Sequence, residues 1–143
     1  MKNNYSQWLL VSDIDGTLND KFFRLPEKNR NSIERYVNNG GHFTLCSGRN
    51  LESLVIHYKK LGIKTPAIFM NGAGIYDFNE EKLLDFTPIT DDGERVILDI
   101  FSRFKTVELT VFGVDKIYLA TRTCFYGYVI CKHDNLTFEL CKK

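Results

Sequence analysis

Between residues 8 and 74, three apolar runs alternate with two amphipathic stretches, and each run ends in a small polar cluster that contains glycine. Trp8-Leu9-Leu10-Val11 is apolar throughout, as a strand buried on both faces should be, and it runs into Ser12-Asp13-Ile14-Asp15-Gly16-Thr17. Pro26 opens a predicted helix to about Asn38, with Ile33, Tyr36 and Val37 on one face and Gly40-Gly41 past its end. The strand His42-Phe43-Thr44-Leu45-Cys46 follows and ends at Ser47-Gly48-Arg49. Leu51, Leu54, Val55, Tyr58 and Leu61 keep helical spacing up to Gly62. Pro66 then introduces the strand Ala67-Ile68-Phe69-Met70, which ends at Asn71-Gly72-Ala73-Gly74. Strand, helix, strand, helix, strand at these separations predicts an α/β fold, a Rossmann-like parallel sheet with crossover helices. In such sheets ligands sit beyond the C-terminal strand ends, where all three polar clusters fall.

The pattern changes past Phe86-Thr87-Pro88, so the chain divides into residues 1–87 and a second unit, 88–143. Asp91-x-x-Glu94 reads as a helix start, and Val96, Ile97, Ile100, Phe101 and Phe104 form an apolar face. Residues 107–112, 116–121 and 126–131 read as strands, which predicts an antiparallel α+β unit without crossover helices. With 19 Lys and Arg against 18 Asp and Glu, the chain has no broad basic footprint for nucleic acid or an anionic membrane surface. No apolar run reaches the length of a membrane span, and no secretory signal core is visible. That absence, with four cysteines lacking tight pairing, predicts a reducing cytoplasm.

Asp13 and Asp15 lie two apart in extended chain, so both should project to one side of the strand end. Two carboxylates so close repel unless a cation bridges them or one keeps its proton. The pair therefore predicts a hard-cation site or a nucleophile beside an acid/base, against the alternative of a plain Asp-Gly turn. Gly16 allows close backbone approach to a ligand and Thr17 adds a hydroxyl. Ser47-Gly48-Arg49 precedes a helix, where a hydroxyl, free N–H groups and the positive helix end suit an anion. Its plain alternative is a Ser47 helix cap with Arg49 a solvated charge. Cys124, Cys131, His133 and Cys141 lack zinc-knuckle spacing and read as packing residues, as does Cys46. His42 and His57 show no evident partner in the sequence. Tyr118, Phe125, Tyr126 and Tyr128 read as packing, since no basic cluster accompanies them for base stacking.

Asp13-Ile14-Asp15-Gly16-Thr17-Leu18 after an apolar strand, Leu45-Cys46-Ser47-Gly48-Arg49 and Asn71-Gly72-Ala73 together resemble the haloacid dehalogenase (HAD) superfamily, in particular its Cof-type (subfamily IIB) phosphatases. The resemblance is specific over residues 7 to about 90 and general beyond; Ser47 stands where threonine is more usual. It implies a HAD core followed by a partial α+β cap, and a Mg²⁺-dependent phosphatase of small phosphorylated metabolites working through an aspartyl-phosphate. Asp13 would be the nucleophile and Asp15 the acid and then the base. Mg²⁺ would be held by the Asp13 carboxylate and the Asp15 main-chain carbonyl. Ser47 and the Gly48 N–H would hold phosphate oxygens, and Arg49 and Asn71 would orient the substrate or the loops.

The family also uses a lysine and a Gly-Asp-rich acidic segment after the cap, and neither is found. Lys132, Lys142 and Lys143 stand in sequence resembling cap strands, and no acidic Gly-Asp run follows residue 92. The chain therefore reads as about half of a family member, with weak Mg²⁺ binding and little or no activity alone. A non-catalytic remnant or interaction module, and a sugar-phosphate phosphotransferase, are the rival readings. Because the family's first strand is central, the missing half would leave residues 8–11 as an exposed edge that invites self-association.

Overall fold

The computed structural model describes residues 5–104, 106–114, 116–120, 125–133 and 136–141. Two compact units, Met1–Phe86 and Thr87–Lys143, divide the chain. No helix among the described residues is long and apolar enough to cross a membrane.

In the first unit, β1 (Leu9–Ser12) pairs in parallel with β2 (His42–Leu45), in the register Leu9↔His42 to Ser12↔Leu45. The connection runs through α1 (Glu27–Asn38), and α2 (Leu51–Leu61) leads from β2 to β3 (Ala67–Phe69). A parallel bridge, Cys46↔Ile68, joins β2 to β3. Thr65 and Thr44 support it, their hydroxyls donating to the Phe43 and Pro66 carbonyls. Pro26 sits one place earlier than expected: it is the N-cap of α1, and its carbonyl accepts from the Asn29 and Arg30 N–H groups. Asn50 caps α2, its Oδ1 accepting from the Ser53 N–H, and Gly62 ends that helix at φ +62°. The core gathers Ile33 of α1, Phe43 and Leu45 of β2, Leu54 and Tyr58 of α2, and Ala67 and Phe69 of β3.

Beyond β3 the chain turns back through β4 (Gly74–Asp77) and β5 (Lys82–Phe86), an antiparallel pair that extends the layer from β3. Sequence reading missed this hairpin. Phe86 of β5 stacks on Phe69 at 6.1 Å, which packs the hairpin against the core.

The first strand departs from the expectation of burial on both faces: Trp8, Leu9, Leu10 and Val11 are 67, 56, 46 and 44% exposed. Its apolar run forms a strand, but among the described residues only β2 pairs with it.

The second unit holds α3 (Asp91–Arg103), β6 (Leu109–Phe112), β7 (Ile117–Ala120), α4 (Phe125–His133) and β8 (Phe138–Cys141). Thr90, not an acidic residue, caps α3 by accepting from the Gly93 N–H. That helix buries none of its residues; Val96, Ile100 and Phe104 of its apolar face are exposed.

Residues 126–131, read as a strand, lie instead within α4. Their aromatic and β-branched content suits a strand, but two tertiary features override it. The Glu108 carboxylate accepts from the Tyr126 N–H at 3.0 Å and from the Gly127 N–H at 3.3 Å, stabilising a helix start. Gly127 lets the helix lie close to β7, since a Cβ there would meet the Leu119 side chain at 2.8 Å. Cys131, one turn on, is buried with Ile117 and Leu119.

The sheet is accordingly mixed and not antiparallel. β6 pairs antiparallel with β7, whereas β7 pairs parallel with β8, and a parallel neighbour needs a crossover such as α4. Lys132 thus stands on a helix, not on a cap strand. Cys141 is exposed, against the packing role expected of it, and Cys46 is half-buried. Cys124, Lys142, Lys143 and the His133 side chain lie outside the described residues.

Candidate functional site

After β1 the chain stays extended through Asp13 and then closes a wide turn, Ile14–Leu18, whose Asp15 and Gly16 are not helical, by the bond from the Asn19 N–H to the Ile14 carbonyl at 2.8 Å. Ile14 and Leu18 point into the core and anchor this turn, while Asp13, Asp15, Gly16 and Thr17 stay at the surface. Gly16 has φ +78°, a conformation that favours glycine.

The second loop leaves β2 through Cys46, whose N–H donates to the Ser12 carbonyl at 2.9 Å, and so lies beside the first. Ser47 is buried; its N–H donates to the Ile68 carbonyl at 3.1 Å, and its Oγ accepts a long bond from the Arg49 N–H at 3.4 Å. Ser47 is therefore not the cap of α2, a place Asn50 takes. The Gly48 N–H has no partner among the described residues and lies just before the positive end of α2.

The third loop is conformationally costly. Met70, Asn71 and Gly72 take φ of +48°, +56° and +96° in succession, and two of the three are not glycine. Two main-chain bonds hold it to the second loop: the Met70 N–H donates to the Arg49 carbonyl and the Asn71 N–H to the Ser47 carbonyl, both at 3.0 Å. This clamp brings the Asn71 amide over Gly48, where a Cβ would meet Asn71 Oδ1 at 2.9 Å. A side chain at position 48 would collide with it.

The first and second loops are also joined by charge. Arg49 grips both oxygens of Asp15, Nε donating to Oδ2 at 2.9 Å and Nη2 to Oδ1 at 3.0 Å, while Nη1 donates to Ser53 Oγ. The Arg49 hydrogen bond chiefly, and its charge, hold the Asp15 carboxyl below the usual carboxylate range against a partial burial that raises it. For Asp15, then, the cation demanded by the close acid pair is a guanidinium. Asp13 has no hydrogen-bond or ion-pair partner for its carboxylate among the described residues.

His57, which showed no partner in the sequence, has one. Its Nε2 lies 3.3 Å from Nδ2 of Asn19, a residue only 6% exposed. Burial first, and then the Arg49 cation, hold the imidazole below its ordinary pKa. The available signal was the four-residue spacing of Arg49, Ser53 and His57, the last two of them on α2.

The site residues 13, 15, 16, 17, 47, 48, 49 and 71 therefore fall on three loops, the second tied to the first by a main-chain bond and a bidentate ion pair and to the third by main-chain bonds and a close glycine contact. Over residues 10–140 the chain matches the family model described as haloacid dehalogenase-like hydrolase. The chain belongs to that family. It is 36% identical over 74 residues to a Buchnera aphidicola protein named as a candidate phosphatase, an alignment covering 52% of this chain and 28% of that one. It is 22% identical over 112 residues to the 5-amino-6-(5-phospho-D-ribitylamino)uracil phosphatase YitU of Bacillus subtilis, covering 78% of this chain and 42% of that protein. A haloacid dehalogenase-like hydrolase from Bacteroides thetaiotaomicron shares its fold at a TM-score of 0.78 and 16% identity, over 95% of this chain and 52% of that chain. A subclass IIB sugar phosphatase does so at 0.78 and 17%, over 94% and 52%. The chain thus spans less than half the length of these two curated relatives and about half of each solved structure.

Among the described residues, no group of three or more His, Cys, Asp and Glu could hold a metal ion. The Mg²⁺ that the family implies would find the unpartnered Asp13 carboxylate and the Asp15 main-chain carbonyl on the adjoining turn. Two hard oxygens of this kind suit an ion that keeps several waters and shares a phosphate.

Proposed function

We propose that this chain carries the nucleophile and phosphate-binding half of a Mg²⁺-dependent phosphatase acting on small phosphorylated metabolites through an aspartyl-phosphate. The observation that carries the reading is the cross-tied convergence of the turn after Asp13, the loop 47–49 and the loop 70–72 at the ends of β1, β2 and β3. Asp13, exposed and with no partner for its carboxylate among the described residues, is the group free to attack phosphorus. The Gly48 N–H and the start of α2 form the anion cradle, with the Ser47 hydroxyl beside them.

Attack by an Asp13 oxygen on the phosphoryl group forms the acyl-phosphate bond and breaks the bond to the substrate alcohol. The leaving oxygen takes a proton from Asp15. Water then loses a proton to Asp15 and attacks the same phosphorus, which releases inorganic phosphate and restores the Asp13 carboxylate. Mg²⁺, when bound by Asp13 and the Asp15 carbonyl, offsets repulsion between the nucleophile and the anionic substrate. Paired with Arg49, Asp15 stands in its base form; to act as an acid it must leave the guanidinium and gain a proton.

The chain alone should turn over slowly, because the Arg49 guanidinium is already paired with Asp15 and two protein oxygens leave much of the phosphoryl charge unbalanced. Purified protein with Mg²⁺ and a panel of sugar phosphates should release inorganic phosphate at or near the rate of Asp13→Asn. Rapid Mg²⁺-dependent release, abolished by Asp13→Asn, would overturn the inactivity while keeping the site. Retained phosphate affinity without turnover is the behaviour expected here.

A further inference from the structure

We propose that the second unit holds a binding site for a small primary amine with one apolar ring, in the recess between α4 and β6. The site is separate from the three loops of the phosphatase reading and does not depend on it. The recess follows from strand register and one glycine. Thr110 pairs with Leu119 and Phe112 with Ile117, so all four side chains share one face of the sheet. On that face α4 lies close, since a Cβ on Gly127 would meet Leu119 Cδ2 and Thr110 Oγ1, each at 2.8 Å. Cys131, one turn on, is buried with Ile117 and Leu119 of β7. Toward β6 the cover thins, and Phe112 is 47% exposed. A cavity of about 280 Å³ remains there, with the buried Ile117 and Cys131 at its floor and Phe112, Tyr126 and Ile130 around it.

Size and charge select the occupant. An apolar cavity of roughly 150 Å³ takes benzene, so this one has room for a single ring with a short arm. Two polar groups converge on it, Glu108 and Thr110. The Glu108 carboxylate is held in place by α4, its Oε2 accepting from the Tyr126 N–H at 3.0 Å and the Gly127 N–H at 3.3 Å. Its Oε1 takes only a share of the Tyr126 N–H, at 3.2 Å, and keeps the capacity to accept another proton donor. The Thr110 hydroxyl has no hydrogen-bond partner among the described residues. A carboxylate beside a free hydroxyl suits an ammonium, which has three protons to give, and repels an anion. No described Lys or Arg lines the recess to compete for Glu108. The rings of Phe112 and Tyr126 at its edge suit an aromatic body. The positive start of α4 already offsets part of the Glu108 charge, so the preference for a cation is modest.

The test is an NMR titration of the full chain with three probes of one shape: benzylamine, benzyl alcohol and benzoate. Benzylamine should shift the Ile117 and Ile130 methyl signals and the Gly127 amide, with a dissociation constant in the millimolar range expected of so small a ligand. Benzyl alcohol should bind at the same positions about fivefold more weakly, the upper worth of a partly exposed ion pair. Benzoate should not bind. Glu108→Gln keeps an acceptor for the start of α4 and should bring benzylamine and benzyl alcohol to equal affinity. Ile130→Trp, at a half-exposed position, should fill the recess and abolish both, with a thermal melt confirming the fold. The comparison of probes on the parent chain stands even if a variant fails to fold. No shift at these positions with excess benzylamine, benzyl alcohol or benzoate binding as tightly as the amine, or undiminished binding in folded Ile130→Trp would each overturn the proposal. So would shifts of the same signals on simple dilution, which would mean that a second copy fills the recess.

Discussion

Substituting Gly48 by alanine should weaken phosphate binding while leaving the first unit folded. The added Cβ would stand 2.9 Å from Asn71 Oδ1, 3.2 Å from its Nδ2 and 3.4 Å from its Cγ, so the Asn71 side chain must move. Its backbone cannot give way, being held at φ +56° with its N–H bonded to the Ser47 carbonyl, so the carboxamide must turn about its side-chain torsions. Overpacking of this kind costs about 1–3 kcal/mol. If that strain is relieved by opening the cradle, phosphate affinity falls roughly 5- to 150-fold. The assay is calorimetric titration of inorganic phosphate in Mg²⁺, with a thermal melt to confirm folding. Asn71→Gly supplies the control, since glycine accepts the left-handed backbone and removes the colliding amide. In that background Gly48→Ala should change affinity by less than about twofold, a non-additivity that only direct contact produces. Equal losses in both backgrounds, or no loss in the parent chain, would refute the reasoning.

Two further outcomes follow from other parts of the molecule. Leu10→Lys places a charge on the open edge of β1; if that edge recruits a second copy, the parent chain should gain mass with concentration in sedimentation and the variant should not. A parent chain that stays monomeric at high concentration would count against self-association. The depressed pKa of Asp15 means that its contribution to stability is full above its unfolded value and is lost as pH falls through the folded one. Arg49→Met should therefore flatten the acid limb of urea stability as pH falls below the ordinary carboxylate value of 3.8. The effect should stay below about 1 kcal/mol, because the pair is partly exposed.

Much of the first unit was legible because local signals agreed with one another. Pro26 and Gly62 punctuate the helices, and the apolar spacing of residues 51–61 matches the face that α2 buries. The three loops were legible as a site because strand ends in a parallel sheet gather on one side. What the sequence did not disclose depended on contacts distant in the chain. Residues 126–131 carry strand-like side chains, and only Glu108 at the helix start and the close packing of Gly127 on Leu119 make them a helix. His57 looked solitary because its partner, Asn19, lies 38 residues away. The pairing of Asp15 with Arg49, 34 residues apart, was equally hidden; a close acid pair asks for a cation without naming it. Exposure of residues 8–11 was legible only by comparison with a family whose sheet continues past the first strand.

Asp13 and the 47–49 loop should face one phosphate. Amide NMR of the chain titrated with Mg²⁺ and inorganic phosphate tests it most directly. Shifts confined to the turn Ile14–Leu18 and to Ser47, Gly48 and Arg49, lost in Asp13→Asn, are the predicted result. Shifts elsewhere in the chain, or none at saturating phosphate, would contradict it.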